Sequence, residues 1–250
     1  MKIVIIGGTG RIGARLTNIL EQQKHTVIAA SRSTGVNTIS GEGLDDALSE
    51  AQVVVDVSNA PAANETEALE FFETSTRNLV AAEKKHGVAH HVVLSIVGVE
   101  RMQPKGYFRA KQAQEKQVKG SGIPYTIVQA TQFFEFLGNI AAAGVKGETI
   151  HVPAVSFQPI AVDDVAAILA SVAASEPANG TITIAGPEKE SMAAIIKRYL
   201  RKKGDTRSVL PDPDAKYFGI ELDEQSLVPS AGSKQRLGKI TLEEWFSRQL

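Results

Sequence analysis

The sequence predicts an α/β fold, a doubly wound parallel sheet with helices on both faces, and three observations carry that prediction. Short, mostly β-branched apolar runs occur at Lys2–Ile6, Thr26–Ala30 and residues 52–57, 91–96 and 124–129, of the kind needed by strands buried on both faces. Stretches with a helical period separate most of them, so strands alternate with helices and must be joined by right-handed crossovers. The first strand also runs into three evenly spaced glycines, Gly7, Gly10 and Gly13. From these a helical pattern departs with Ile12, Leu16, Ile19 and Leu20 on one face.

A strand that turns tightly into a helix aims the free N–H groups and the positive end of the helix dipole at whatever sits above the strand. The guest expected there is a pyrophosphate. In that reading Gly7 supplies a turn with unusual dihedrals, Gly10 lets the backbone approach the phosphates, and Gly13 packs the helix on the sheet. The spacing is GxxGxxG rather than GxGxxG; its position after a strand and before a helix is what gives the motif weight.

With 250 residues and no visible repeat, the chain is expected to form one domain over 1–250, with 131–160 and 186–250 shaping a substrate cleft. A net charge of -1, with Lys and Arg scattered, argues against nucleic acid and against an anionic membrane surface. The absence of cysteine excludes disulfides and thiolate catalysis. His25, His86, His90, His91 and His151 show no metal-ligand spacing, so no metal is expected and the histidines read as solvated or strand-flanking. The first strand leaves no room for a signal peptide and no run reaches membrane-spanning length, so a cytoplasmic protein is expected.

Taken in order, the second strand ends in Ser31, Arg32 and Ser33. No acid stands there to accept a ribose 2′-hydroxyl, whereas Arg32, with Arg11 reaching from the glycine turn, suits a 2′-phosphate. NADP(H) is therefore expected in preference to NAD(H). Residues 36–39 are expected to form a third strand and Leu44–Leu48 a short helix. The run at 52–57 ends in Ser58, Asn59 and Ala60, expected beside the cofactor. A long helix over 64–86, with Leu69, Phe72, Leu79, Val80 and Ala82 toward the core, closes at Gly87.

The strand at 91–96 places Ser95 near its carboxyl end, and a helical stretch then carries Tyr107 and Lys111 at i and i+4, one turn apart on one face. A nearby ammonium favours a phenolate and draws the phenol pKa toward working pH. Tyr107 can then act as general acid on a carbonyl oxygen while Ser95 donates a second hydrogen bond. After the strand at 124–129, Thr131 and Gln132 are placed to meet a nicotinamide amide, and Phe133, Phe134 and Phe136 to form an apolar wall for a small-molecule substrate. Helices are expected at 163–174 and 191–203 and a strand at 181–185. Residues 210–238 show little period, and the amphipathic last helix offers a contact face for a homo-oligomer.

The stretches GGTGRIG, TRNLVAAEKKHGVAHHVVLSIVGV, YFRAK and SGIPYTIVQATQFFEF together resemble the NmrA-like group of atypical short-chain dehydrogenase/reductases, over nearly the whole chain. The resemblance implies a Rossmann fold in which Thr9, Arg11 and Ile12 line the phosphate path. It also implies a catalytic triad of Ser95, Tyr107 and Lys111, with the lysine on the nicotinamide ribose. The asparagine that completes a tetrad in many members would stand near Ala68, where there is none, and Asn64 and Asn78 fit poorly. The function so implied is NADPH-dependent reduction of a small hydrophobic carbonyl or quinone-type compound. NmrA-like members that bind nucleotide without catalysis keep a redox sensor open as an alternative. A ketoreductase or oxygenase acting on an aromatic polyketide-like compound is a further one.

Overall fold

In the computed structural model, which describes residues 1–60, 64–102, 105–233 and 235–249, the opening run forms β1 (Lys2–Ile6) and the glycine turn feeds α1 (Arg11–Gln22). There follow β2 (Thr26–Ala30), α2 (Leu44–Leu48), β3 (Val53–Asp56), α3 (Glu65–His86), β4 (His90–Ile96), α4 (Gly106–Lys119) and β5 (Tyr125–Ala130). Next come α5 (Leu137–Ala143), β6 (Val145–Lys146), β7 (Thr149–Pro153), β8 (Ser156–Phe157), α6 (Val162–Ala173) and β9 (Gly180–Ala185). The chain closes with β10 (Glu190–Ser191), α7 (Met192–Lys202), β11 (Ser208–Asp212), β12 (Gln235–Leu237) and α8 (Leu242–Ser247).

Seven strands form one parallel sheet in the order β12-β9-β5-β4-β3-β1-β2. The chain leaves β1 for β2 and returns to β3 on the other side of β1, so the winding reverses between β1 and β3. In open α/β sheets ligands bind in the crevice above such a reversal. Alternation along each strand divides the core. Ile3, Ile5, Val53 and Val55 meet Leu16, Leu20 and Leu169 of α1 and α6, while Val4, Ile6 and Val54 meet Leu48 and Leu79 of α2 and α3. Helix α3 starts where Asn64 accepts the Glu67 N–H at 3.0 Å and stops at Gly87 with φ 68.

Residues 36–39 are not a strand. Their carbonyls, at Thr38 and Ile39, accept the Asn78 side chain of α3 at 2.9 Å each, and the Ile39 N–H turns back to Asn37 Oδ1 at 3.0 Å. A backbone bonded to a side chain in this way has no ladder left to join. The expected fourth, fifth and sixth strands are accordingly β3, β4 and β5.

Residues 210–238, read as irregular, hold the end of β11, which pairs parallel with β7, and all of β12, which pairs parallel with β9 and completes the central sheet. A second core gathers Phe134, Leu137, Phe157, Ile195, Leu227 and Trp245 beside the three-stranded sheet β11-β7-β6. The apolar face of α8 is used here rather than offered outward, with Leu242 and Trp245 buried in that core. His90 and His91 are likewise buried within β4 instead of solvated. His91 Nδ1 pairs with Glu83 at 2.7 Å, and His90 Nε2 bonds the Thr126 hydroxyl at 2.8 Å. Among the described residues no helix is long and apolar enough to cross a membrane.

Candidate active site

The glycine turn has distinct demands at each position. Gly7 has φ +81, and a methyl on it would meet the Ser58 backbone at 3.1 Å, so the ends of β1 and β3 abut there. A methyl on Gly13 would fall 2.2 Å from the Gly7 carbonyl oxygen and 2.7 Å from the Gly8 Cα; it is the turn, more than the sheet, that α1 packs against. Gly8, which the spacing argument passed over, is equally confined, since a methyl would lie 2.5 Å from the Ala29 Cα. Gly10 differs: its added methyl would meet only the Gly7 oxygen, at 3.1 Å, and its other side is open. The N–H groups of Arg11, Ile12 and Gly13, at the start of α1, have no carbonyl behind them in the helix.

Beside this helix end, buried polar atoms collect at the carboxyl ends of adjacent strands. Ser58 Oγ after β3, Ser95 Oγ in β4, and Thr131 Oγ1 with both amide atoms of Gln132 after β5 have no hydrogen-bond partner among the described residues. Each such group costs about 1–3 kcal/mol when left unmatched. Four of them on three neighbouring strands fit a polar ligand lying across the switch point.

Arg11 and Thr9 are exposed at the turn and Ile12 is half-buried against the core. Arg15 is committed elsewhere, paired with Asp163 and donating to the Arg11 carbonyl at 2.8 Å. At the end of β2, Ser31 and Thr34 form a reciprocal cap about the single turn Arg32–Thr34. Ser31 and Ser33 hydroxyls meet at 2.8 Å, and Arg32 is exposed. Ala60 is buried with Ala68, Phe72 and Ala110, so an apolar contact occupies the place where a tetrad asparagine was sought.

Helix α4 brings Tyr107 and Lys111 to one aromatic platform, Phe72 of α3. The Tyr107 ring stands edge-on to Phe72 with centroids 5.7 Å apart, and Lys111 Nζ lies 4.6 Å from the same ring's centroid. The Tyr107 hydroxyl donates to Asn59 Oδ1 at 2.6 Å. Lys111 donates to the Leu94 carbonyl at 2.6 Å and to Gln114 Oε1, and Gln114 donates onward to Asp56 Oδ2 at 2.8 Å. Asp56 Oδ1 in turn accepts the Ser58 N–H at 2.9 Å, which ties α4 to the connection after β3. Sequence reasoning missed Asp56 and Gln114. Their only local signal is an acid closing an apolar run and an amide at i+3 from Lys111.

The electrostatics overturn one expectation. Burial pushes the Tyr107 phenol above its ordinary range and the Asp56 carboxylate pushes it further. Lys111 is not among the groups that move the phenol; its ammonium donates to the Leu94 carbonyl and to Gln114 Oε1. Burial brings Lys111 itself down to about 8, against the pull of Asp56 and Glu115. Ser95 is buried in β4, its hydroxyl bonded to neither Tyr107 nor Lys111.

Of the three phenylalanines, Phe134 is 1% exposed and packs on Trp245, with centroids 5.8 Å apart. Phe133 is half-buried and bridges to Ile160. Phe136 is 38% exposed and lies 5.5 Å from Phe218, which is 49% exposed.

A family model described as NAD(P)H-binding matches residues 7–176, in agreement with the resemblance drawn from the motifs. Photosystem II assembly factor Ycf39 of Synechocystis sp. is 26% identical over 151 residues, covering 55% of this chain and 46% of that protein. This chain thus spans about half the length of that relative. The chloroplastic divinyl chlorophyllide a 8-vinyl-reductase of Cucumis sativus is 26% identical, the match covering 99% of this chain and 76% of that protein. Among solved structures, UDP-glucose 4-epimerase of Thermotoga maritima superposes with a TM-score of 0.70 at 17% identity, covering 98% of this chain and 96% of that one. That likeness is one of fold.

Proposed function

This chain belongs to the NAD(P)H-binding family, and from that premise we propose that it is an NADPH-dependent oxidoreductase reducing a small hydrophobic carbonyl or quinone-type compound. The observation that carries the reading is the row of buried polar atoms at Ser58, Ser95, Thr131 and Gln132, without hydrogen-bond partners among the described residues, beside the open end of α1. Gly7, Thr9, Gly10, Arg11, Ile12 and Gly13 would hold the pyrophosphate, and Ser31, Arg32 and Ser33 the 2′-phosphate. Ser58, Asn59 and Ala60 would flank the riboses, and Thr131 the nicotinamide amide. Residues 131–160 and 186–250 would roof the cleft within a single domain, Phe133 and Phe136 facing the substrate and Phe134 bracing them from the core.

When bound, the reduced nicotinamide supplies a hydride, two electrons with one proton, to the substrate's carbonyl carbon. Tyr107 gives its phenolic proton to the carbonyl oxygen, and the phenolate later regains a proton from solvent. A phenol held above its ordinary pKa is protonated at rest but is the weaker acid for it, so the step needs the leaving phenolate to be stabilised. Ser95 steadies the oxygen with a second hydrogen bond. Lys111 serves as a buried cation behind Phe72, a different place from the ribose contact implied by resemblance. The vinyl-reductase relative supports a reduction; the other relative is named for assembly and not for a reaction, which is compatible with the second reading, a non-catalytic NADP(H) sensor. That alternative is favoured by one observation, the engagement of Lys111 by Leu94 and Gln114.

The deciding experiment measures NADPH oxidation across a panel of quinones and aldehydes. Tyr107→Phe should cost about 100-fold or more in turnover while NADPH affinity is kept. Tight NADPH binding by the unaltered protein with no turnover on any compound would favour the sensor.

A further inference from the structure

Tyr107 and Asn59 come from separate elements, α4 and the connection after β3, and meet in a 2.6 Å hydrogen bond with the phenol as donor. Both are fixed from behind. Asn59 follows Ser58, whose N–H is held by Asp56, and the Tyr107 ring stands on Phe72. A carboxamide has two different ends: its oxygen accepts and its NH2 donates. A neutral phenol donates, whereas a phenolate accepts only. One half-turn of the Asn59 amide about its terminal torsion, which is broad and roughly two-fold, therefore fits it to either state of Tyr107.

We propose that Asn59 is a positioning residue acting through Tyr107, its oxygen holding the neutral phenol at rest and its NH2 receiving the phenolate once the proton has left. This rests on the reading of Tyr107 as the proton donor. In the step itself the Tyr107 O–H bond breaks, an O–H bond forms on the substrate oxygen, and the negative charge stays on the Tyr107 oxygen until solvent returns a proton. Among the described residues the Asp56 carboxylate of β3 is the charge that acts on the phenol; Lys111 of α4 shares the Phe72 ring with it, and α3 presents that uncharged ring. Asp56 opposes a phenolate, and Lys111 is occupied by Leu94 and Gln114. Among the described residues, Asn59 is the group in direct hydrogen-bond contact with the phenol oxygen, and its NH2 is a donor that can offset the charge there. Tyr107 is 37% exposed and Asn59 is exposed, so water shares the solvation of the phenolate with that donor.

The test replaces Tyr107 with a fluorinated tyrosine, which ionises well below tyrosine, and follows its fluorine resonance against pH in nucleotide-free protein. Asn59→Ser keeps a group able both to donate and to accept, and should titrate with the unaltered protein. Asn59→Leu can do neither and should titrate about one unit higher, the worth of a charge-assisted hydrogen bond. Asn59→Asp, which accepts but cannot donate, should titrate higher still. In unlabelled protein, kcat should fall about 10-fold for Asn59→Leu and recover in Asn59→Ser. A titration unmoved or lowered in Asn59→Leu overturns the proposal, as does a change in NADPH affinity alone. Turnover unaffected by Tyr107→Phe would instead defeat the parent reading, whatever the fluorine titration shows.

Discussion

A methyl group on Gly13 would lie 2.2 Å from the Gly7 carbonyl oxygen, whereas one on Gly10 would meet that oxygen at 3.1 Å and no other atom in contact range. Gly10 also has φ -76 and ψ 178, which alanine adopts freely. Gly13→Ala should therefore lose thermal stability and NADPH binding together. Gly10→Ala should melt within a few degrees of the unaltered protein yet bind NADPH about 10-fold or more weakly, because the open side of Gly10 is where the phosphates would approach. Calorimetric titration beside a thermal melt separates the two. Unaltered affinity in Gly10→Ala would place the pyrophosphate elsewhere.

The end of β2 is tied to the same turn, the Ala30 carbonyl accepting the N–H groups of Gly7 at 2.9 Å and Gly8 at 3.2 Å. Arg32 is exposed just beyond. Arg32→Ala should weaken NADPH by about 10-fold or more and NADH little, with the difference shrinking as salt is raised. Equal weakening of both nucleotides would remove Arg32 from the 2′-phosphate.

The histidines of β4 give opposite pH dependences. Burial, then the charge of His91, lowers His90 from 6.5 to about 4 in the folded state. Its contribution is full above 6.5 and is lost as pH falls through 6.5 toward 4. His91 is raised despite its burial, because the Glu83 carboxylate outweighs desolvation. Its contribution is full below 6.5 and is lost as pH rises through its folded pKa. Denaturant midpoints measured from pH 7 to 4.5 should decline less steeply for His90→Gln than for the unaltered protein. His91→Leu strands Glu83 as an unpaired buried carboxylate and should cost about 3–5 kcal/mol at neutral pH.

Phe218 has φ 49 and Gly219 φ 83, in a two-residue turn closed by reciprocal Tyr217–Ile220 backbone bonds of 2.8 and 3.0 Å. Such a turn suits Asn-Gly. A bulky residue in that conformation costs about 1–2 kcal/mol, and the half-exposed ring, 5.5 Å from Phe136 and edge-on to Tyr217 at 4.9 Å, returns only part of about 0.5–1.5 kcal/mol for each pair. Phe218→Asn should thus raise stability by on the order of 0.5 kcal/mol, read from the denaturant midpoint. A loss larger than 1 kcal/mol would mean the ring packs better than this balance allows.

What was legible in the sequence was local. The strand and glycine turn at Lys2–Gly13, the i, i+4 placement of Tyr107 and Lys111, and the helix of α3 with its Asn64 start and Gly87 stop all follow from periods and steric needs within a few residues. What was not legible depends on distant partners. Residues 36–39 look like a strand until Asn78 takes their carbonyls. The direction of the Lys111 ammonium is set by Leu94 and Gln114, and the phenol's pKa by burial and Asp56, none of which a spacing rule contains. β12 has no apolar period at all, being a short exposed edge whose strand character comes from pairing with β9. Phe134 and Phe136 look alike as residues, and only the fold sends one against Trp245 and leaves the other at the surface.

That β12 is supplied by residues 235–237 has a bearing on biogenesis. While the polypeptide is being synthesised, β9 must present a bare row of peptide groups until residues 235–237 have left the ribosome, and α8, whose Trp245 plugs the second core, emerges later still. Chaperone dependence should accordingly concentrate between the emergence of β9 and that of α8, after β1 to β5 have been made.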